Sequence, residues 1–180
     1  MISMRRCAGI AAVLSLLGGS AAARADDAKV IAGWVEKVYF AAAPGHEVKA
    51  KLDSGAKTSS VNARDVEDFE RDGRPWVRFE LVLPDEDDRT RVIAMERPVT
   101  RYVRIKEHRG DHDRRPVVEL EFCFVGRFHR AQFSLVDRTR FHYPVLLGRR
   151  FLAGVALIDP GATFLTEPDC AESGTGADQP

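Results

Sequence analysis

Short stretches of alternating apolar and polar residues, broken by turn residues, limit most strictly what this chain can fold into. From His46 to Leu52, Val48, Ala50 and Leu52 face one way and Glu47, Lys49 and Lys51 the other. Val77, Phe79, Leu81 and Leu83 alternate with Arg78 and Glu80, then stop at Pro84 and the acidic turn Asp85 to Asp88. Arg91 to Met95 resumes the pattern, and Val118, Leu120, Phe122 and Phe124 form a further stripe. Gly126 then begins a hairpin return through Phe133 and Leu135, while Val30 to Phe40 is β-branched and aromatic. A side-chain period of two belongs to strands with one buried face. Many such strands, separated by Pro, Gly and Asp turns, predict an all-β sandwich or barrel and argue against βαβ units. Two segments alone are predicted helical: Arg149 to Ala153, stopped at Gly154, and a turn around Asn62 to Phe69.

The N-terminus sets the compartment. Met1 to Arg6 carries two arginines, Cys7 to Ala23 is uncharged and rich in Ala, Leu, Val and Gly, and Ala23-Arg24-Ala25 places small residues where a signal peptidase reads. Residues 1–25 are therefore expected to be a secretory signal, with no membrane span after its cleavage. A secreted, periplasmic protein starting near Asp26 is expected, with one domain over 26–166 and a small, polar, disordered tail over 167–180. Three of the 27 basic residues (Arg5, Arg6, Arg24) lie in the signal, which has no acids, leaving 24 basic against 27 acidic residues. That balance gives no basic surface for nucleic acid. In an oxidising compartment Cys123 and Cys170 can pair or stay free, and the sequence leaves both open. Cys123 sits in an apolar strand, where a thiol is an inert core group rather than a nucleophile.

The candidate catalytic group is Asp53, in Asp53-Ser54-Gly55 directly after an alternating strand. Two carboxylates in contact cannot both ionise, so one keeps a proton and acts as acid while the other acts as base on water. The Ser54 hydroxyl can hold such a loop by hydrogen bonds. Gly55 permits a tight turn and close approach, and Ala56 continues the loop. Lys57 and Thr58 come next, as contacts to an acidic substrate or to the loop itself; Lys57 could also simply pair with Asp53. Taken alone, Asp-Ser-Gly is an ordinary turn. Downstream, Tyr143-Pro144-Val145-Leu146-Leu147-Gly148 runs into Arg149-Arg150-Phe151-Leu152 and then Val155 to Asp159, an apolar strand ending in glycine, a short helix and a last strand.

With these residues the chain resembles the family named ATP-dependent zinc proteases, which is similar in fold to the retropepsins. The resemblance rests on Gly33-Trp34-Val35-Glu36, on Val48 through Ser60, on Arg115-Pro116-Val117-Val118, on Leu135-Val136-Asp137-Arg138, on Pro144 through Leu152 and on Ile158-Asp159-Pro160. Many family members carry Thr at the position of Ser54. The resemblance implies a closed retropepsin-like (acid-protease) β-barrel with one short C-terminal helix. It further implies that Leu146, Leu147 and Gly148 support the Asp loop from behind.

The residues themselves carry neither a Gly-x-x-x-x-Gly-Lys-Ser/Thr phosphate loop nor a His-Glu-x-x-His helix. No cofactor and no metal is therefore expected. His108 and His112 flank Arg109-Gly110-Asp111 in a polar loop, and His46, His129 and His142 are scattered. Asp159-Pro160-Gly161 superficially repeats an Asp-x-Gly, but Pro160 offers neither hydroxyl nor N–H, so a turn between two terminal strands is expected there. The second carboxylate is then expected from Asp53 of a second copy, across a homodimer axis. The function expected is an aspartic endopeptidase acting on a peptide or protein substrate. The alternatives are a catalytically inactive binding or interaction module on the same barrel, and a metallohydrolase of the kind the family's name describes.

Overall fold

A computed structural model describes residues 29–87, 89–106 and 112–170. The expected signal, the loop tip with His108 and Asp111, and tail residues 171–180 lie outside the described residues. The described chain is nearly all strand: β1 (Val30–Gly33), β2 (Val35–Phe40), β3 (Val48–Asp53), β4 (Ser59–Arg71), β5 (Arg74–Pro84), β6 (Thr90–Pro98), β7 (Arg101–Lys106), β8 (His112–Phe124), β9 (Arg127–Val136), β10 (Val145–Gly148) and β11 (Ala156–Asp159), with one helix, α1 (Arg149–Leu152), between the last two. Among these residues no helix is long and apolar enough to cross a membrane.

Six strands close a barrel in the order β10, β3, β2, β8, β9, β4, because β10 pairs with both β3 and β4. The expected retropepsin-like barrel with a short C-terminal helix is thus the fold found. The stripes point where alternation predicted: Val48, Ala50 and Leu52 are buried, as are Val118, Leu120, Phe122 and Phe124. Phe40, Phe122 and Phe133 meet inside at centroid separations of 5.3 to 6.0 Å. Each fully buried aromatic of this kind contributes about 1.5–3 kcal/mol.

The turn expected over Asn62 to Phe69 is instead part of β4. Its first half, Ser59–Ala63, is buried in the barrel wall, while the second half leaves the barrel and is exposed apart from the half-buried Phe69. That half pairs with β5, and the register shifts between Arg64 and Glu67, where Asp65 has φ of 50°. A protruding ribbon with a bulge buries neither face, so it leaves no period of two to read. Charge pairs across the strands, Arg64 with Glu80 and both Arg71 and Arg78 with Glu96, hold it instead. Its two-residue turn, Asp72-Gly73, has positive φ at both positions (50° and 70°), the geometry of a twisted hairpin.

β1 and β11 pair in parallel as a separate two-stranded sheet. After β11 the chain does turn at Asp159, whose carboxylate accepts the Gly161 N–H. Beyond that turn the chain runs along β2 as an extended strap rather than as a strand. Trp34 N–H donates to Ala162, and Phe164 N–H to Val35. The buried Glu36 carboxylate accepts from Gly33, Leu165 and from both the N–H and hydroxyl of Thr166. Cys170 is joined to Cys123 in a disulfide, so the packed chain continues past residue 166.

Candidate functional site

The Asp53 loop lies between two strands that are consecutive in sequence but not adjacent in the sheet. β10 lies between them, parallel to β3 and antiparallel to β4, with Leu147 opposite Leu52 and Gly148 opposite Asp53. Leu146 stands opposite Lys51 on one side and Ser60 on the other. Leu146, Leu147 and Gly148 thus lie on the strand that fills the gap between β3 and β4. α1 completes it. The first helical N–H groups lack intrahelical acceptors, and here Arg149 N–H donates to Ala56 O at 2.9 Å and Arg150 N–H to Lys57 O at 3.3 Å.

Gly148 has to be glycine for want of space. A Cβ there would lie 2.7 to 2.9 Å from backbone atoms of Thr58 and Ser59. The Gly148 N–H donates to the Ser59 hydroxyl at 3.0 Å, and the Ser134 hydroxyl donates to Ser59 O. Thus the hydroxyl that braces the loop belongs to Ser59. Ser54 is exposed, and among the described residues its hydroxyl makes no hydrogen bond. Gly55 serves the carboxylate directly: its N–H donates to Asp53 Oδ1 at 3.0 Å, joined by Ala56 N–H at 3.1 Å. A Cβ on Gly55 would stand 3.1 Å from that oxygen.

The other oxygen, Oδ2, faces Lys51 Nζ at 3.2 Å. Burial pushes the Asp53 carboxyl up, but the Ala56 N–H, Lys51 and the Gly55 N–H together outweigh it and hold the group below the ordinary carboxylate value. Lys57, the cation nearest in sequence beyond Asp53, is exposed and is not the one that pairs with it.

Further cations gather here, with no salt bridge to a carboxylate among the described residues. Arg138 is buried; its guanidinium donates to Ser60 Oγ and Tyr143 O, and its N–H to Asn62. Burial and the Arg115 charge push Arg138 down, while Asp53 pulls it up. Arg101 donates to Thr58 Oγ1 and Gln132 Oε1, both at 2.9 Å, with Arg150 close enough to lower it further beyond the effect of burial. Thr58 is therefore bonded within the protein. A cavity of about 590 Å³ opens beside the loop's far end, lined by Thr58, Ser59, Gln132, Arg150, Phe151 and His129 among others.

Sequence reasoning missed Lys51, Ser59, Arg101 and Arg138 as parts of the site. Lys51 had a usable signal, because residues two apart on a strand share a face. Arg101 arrives from β7 and had none, while Arg138, from the loop after β9, could be read only as part of the resemblance. No three His, Cys, Asp or Glu side chains among the described residues group as a metal site, and His108 and Asp111 lie outside those residues.

Comparison with known proteins agrees with this fold. A family model described as RimB-like, "Retropepsin-like aspartic endopeptidase RimB", matches residues 31–169. That description is of an aspartic endopeptidase, so it gives no support to the ATP-dependent zinc protease label. A Shewanella pealeana protein named "Probable alpha-L-glutamate ligase" is 34% identical over 139 residues, 77% of this chain and 30% of that protein. A Desulfotalea psychrophila protein of the same name is 36% identical over 135 residues, 75% of this chain and 29% of its own length. The chain thus spans under a third of these relatives. A crystal structure of a Legionella pneumophila protein of unknown function superposes with a TM-score of 0.63 at 30% identity, covering 78% of this chain and all of that one.

Proposed function

Because the chain belongs to the RimB-like family of retropepsin-like aspartic endopeptidases, we propose that it hydrolyses peptide bonds with Asp53 as its catalytic carboxylate. The observation that carries this is the loop itself: an aspartate fixed by two N–H donors on one oxygen and by Lys51 on the other, on a loop braced by β10 and α1. Asp53 of a second copy supplies the other carboxylate across a homodimer. Water held between them attacks the scissile carbonyl carbon and gives its proton to the ionised Asp53. The protonated Asp53 donates to the carbonyl oxygen, and collapse of the tetrahedral species returns a proton to the leaving amine. No other carboxylate is bonded to Asp53 among the described residues, which is why a second copy enters the reading.

The substrate is an acidic peptide. Arg101 has only neutral partners among the described residues, and Lys57, Arg149 and Arg150 are exposed cations around the loop. The ligase relatives carry glutamate in their names, which favours glutamate-bearing chains. Secretion to the periplasm fits the Cys123–Cys170 disulfide. Asp53→Asn is expected to abolish cleavage of an acidic peptide library, by at least about 100-fold, at acidic and neutral pH. Cleavage that survives the substitution ends the reading.

One observation favours the inactive binding module, namely that Lys51 already pairs the outward oxygen of Asp53. On that reading wild type and Asp53→Asn bind acidic peptides and neither cleaves them.

A further inference from the structure

Lys51 and Asp53 are two apart on β3, the spacing that puts both side chains on one face. The two oxygens of Asp53 are shared out completely. Oδ1 takes the Gly55 and Ala56 N–H groups, and Oδ2 takes the Lys51 ammonium. Among the described residues Lys51 has no rival partner: the residues opposite it are Val35 on β2 and Leu146 on β10, neither charged. Lys49, on the same face, is engaged by Glu86 at 3.1 Å.

We propose that Lys51 is the positioning residue of Asp53, holding Oδ2 outward in its ionised form and thereby setting the pH range in which the site works. The charged groups that act on the carboxylate, among the described residues, are cations: Lys51 from its own strand and Arg138 from the loop after β9. Arg115 of β8 lies beside Arg138 and is itself paired with Asp113. Arg149 and Arg150 of α1 reach the loop through their backbone N–H groups. A pair of aspartates sharing one proton needs the second carboxyl to stay protonated, and a cation against either oxygen opposes that. Lys51 therefore moves the singly protonated state of the pair to lower pH. The sign comes from the Asp53 carboxyl being held low: the ionised form persists down to a pH below the ordinary carboxylate value and is lost only beneath it. With Lys51 removed, ionisation and the acid limb of activity both move up.

This proposal rests on the peptidase reading for its kinetic half only. The test uses the full chain and two variants, Lys51→Met, which keeps the stem without the charge, and Lys51→Arg, which keeps the charge. The Asp53 carboxyl is titrated by carbon-detected NMR, and the pH profile of kcat/KM is measured on an acidic peptide. Expected is an upward shift in the Asp53 titration of Lys51→Met, a matching shift of the acid limb, and return towards wild type in Lys51→Arg. An Asp53 titration identical in wild type and Lys51→Met overturns the proposal. A titration that shifts while no variant cleaves any peptide upholds the Lys51–Asp53 coupling and ends the peptidase reading instead.

Discussion

At the scale of single residues, the site is a set of contacts with little slack. Gly148 shows this best, because the atoms nearest its missing side chain are backbone atoms of Thr58 and Ser59, which cannot swing aside. Gly148→Ala is expected to cost about 1–3 kcal/mol and to displace the Asp53 loop, read as a lower melting temperature together with lost cleavage. Unchanged stability and activity would show that the loop tolerates the extra methyl. How much of this was legible depended on sequence distance. Asp53 and its glycine stood out from an ordinary Asp-Ser-Gly turn only together with the downstream apolar run ending in glycine, which is the strand that braces them. Lys51 was legible in principle from strand period alone. Ser59 in place of Ser54 was not, because which of several nearby hydroxyls reaches the brace is decided by β10, a strand far along the chain. Arg101 was out of reach for the same reason.

At the scale of elements, strands with one buried face announced themselves and the others did not. β3, β5 and β8 alternate because each lines the core on one side. The outer half of β4 has no such side, and its charges pair across the ribbon rather than facing solvent alone. The C-terminal strap is the other element that pattern reading could not supply. It has no stripe, since it is held by polar contacts: backbone bonds at Trp34 and Val35, and a buried carboxylate that accepts from Leu165 N–H and from the N–H and hydroxyl of Thr166. Charge-assisted hydrogen bonds are the stronger kind, and leaving buried N–H groups unpaired costs about 1–3 kcal/mol. Glu36→Gln puts an amide donor against those donors, so a loss of about 2–3 kcal/mol is expected. Hydrogen exchange at Leu165 and Thr166 should rise as the strap loosens. Protection equal to wild type would mean that the backbone bonds at Trp34 and Val35 hold the strap by themselves.

At the scale of the whole molecule, the disulfide joins the end of the strap to β8 across a sequence separation of 47 residues, with Tyr39 donating its hydroxyl to Cys170 O. Closing a loop of that length in the unfolded chain stabilises the fold by about 4 kcal/mol on the chain-entropy account. Reduction of the bridge, or Cys123→Ser with Cys170→Ser, is therefore expected to lower the melting temperature substantially. A melting curve indifferent to reductant would place the stability of the domain in the barrel core alone.

The position of β10 has a consequence for the order of events in the life of the chain. Asp53 and the whole of β3 leave the ribosome before most of the barrel, yet the strand that sits between β3 and β4 is made only after β9. Until Val145 to Gly148 arrive, the gap is unfilled, the Ser59 hydroxyl lacks the Gly148 N–H, and no helix receives the carbonyls of Ala56 and Lys57. A truncated or half-made chain thus holds the carboxylate without the frame that aims it. The frame around Asp53 is one of the last parts of the barrel to take shape, a timing that follows from strand order.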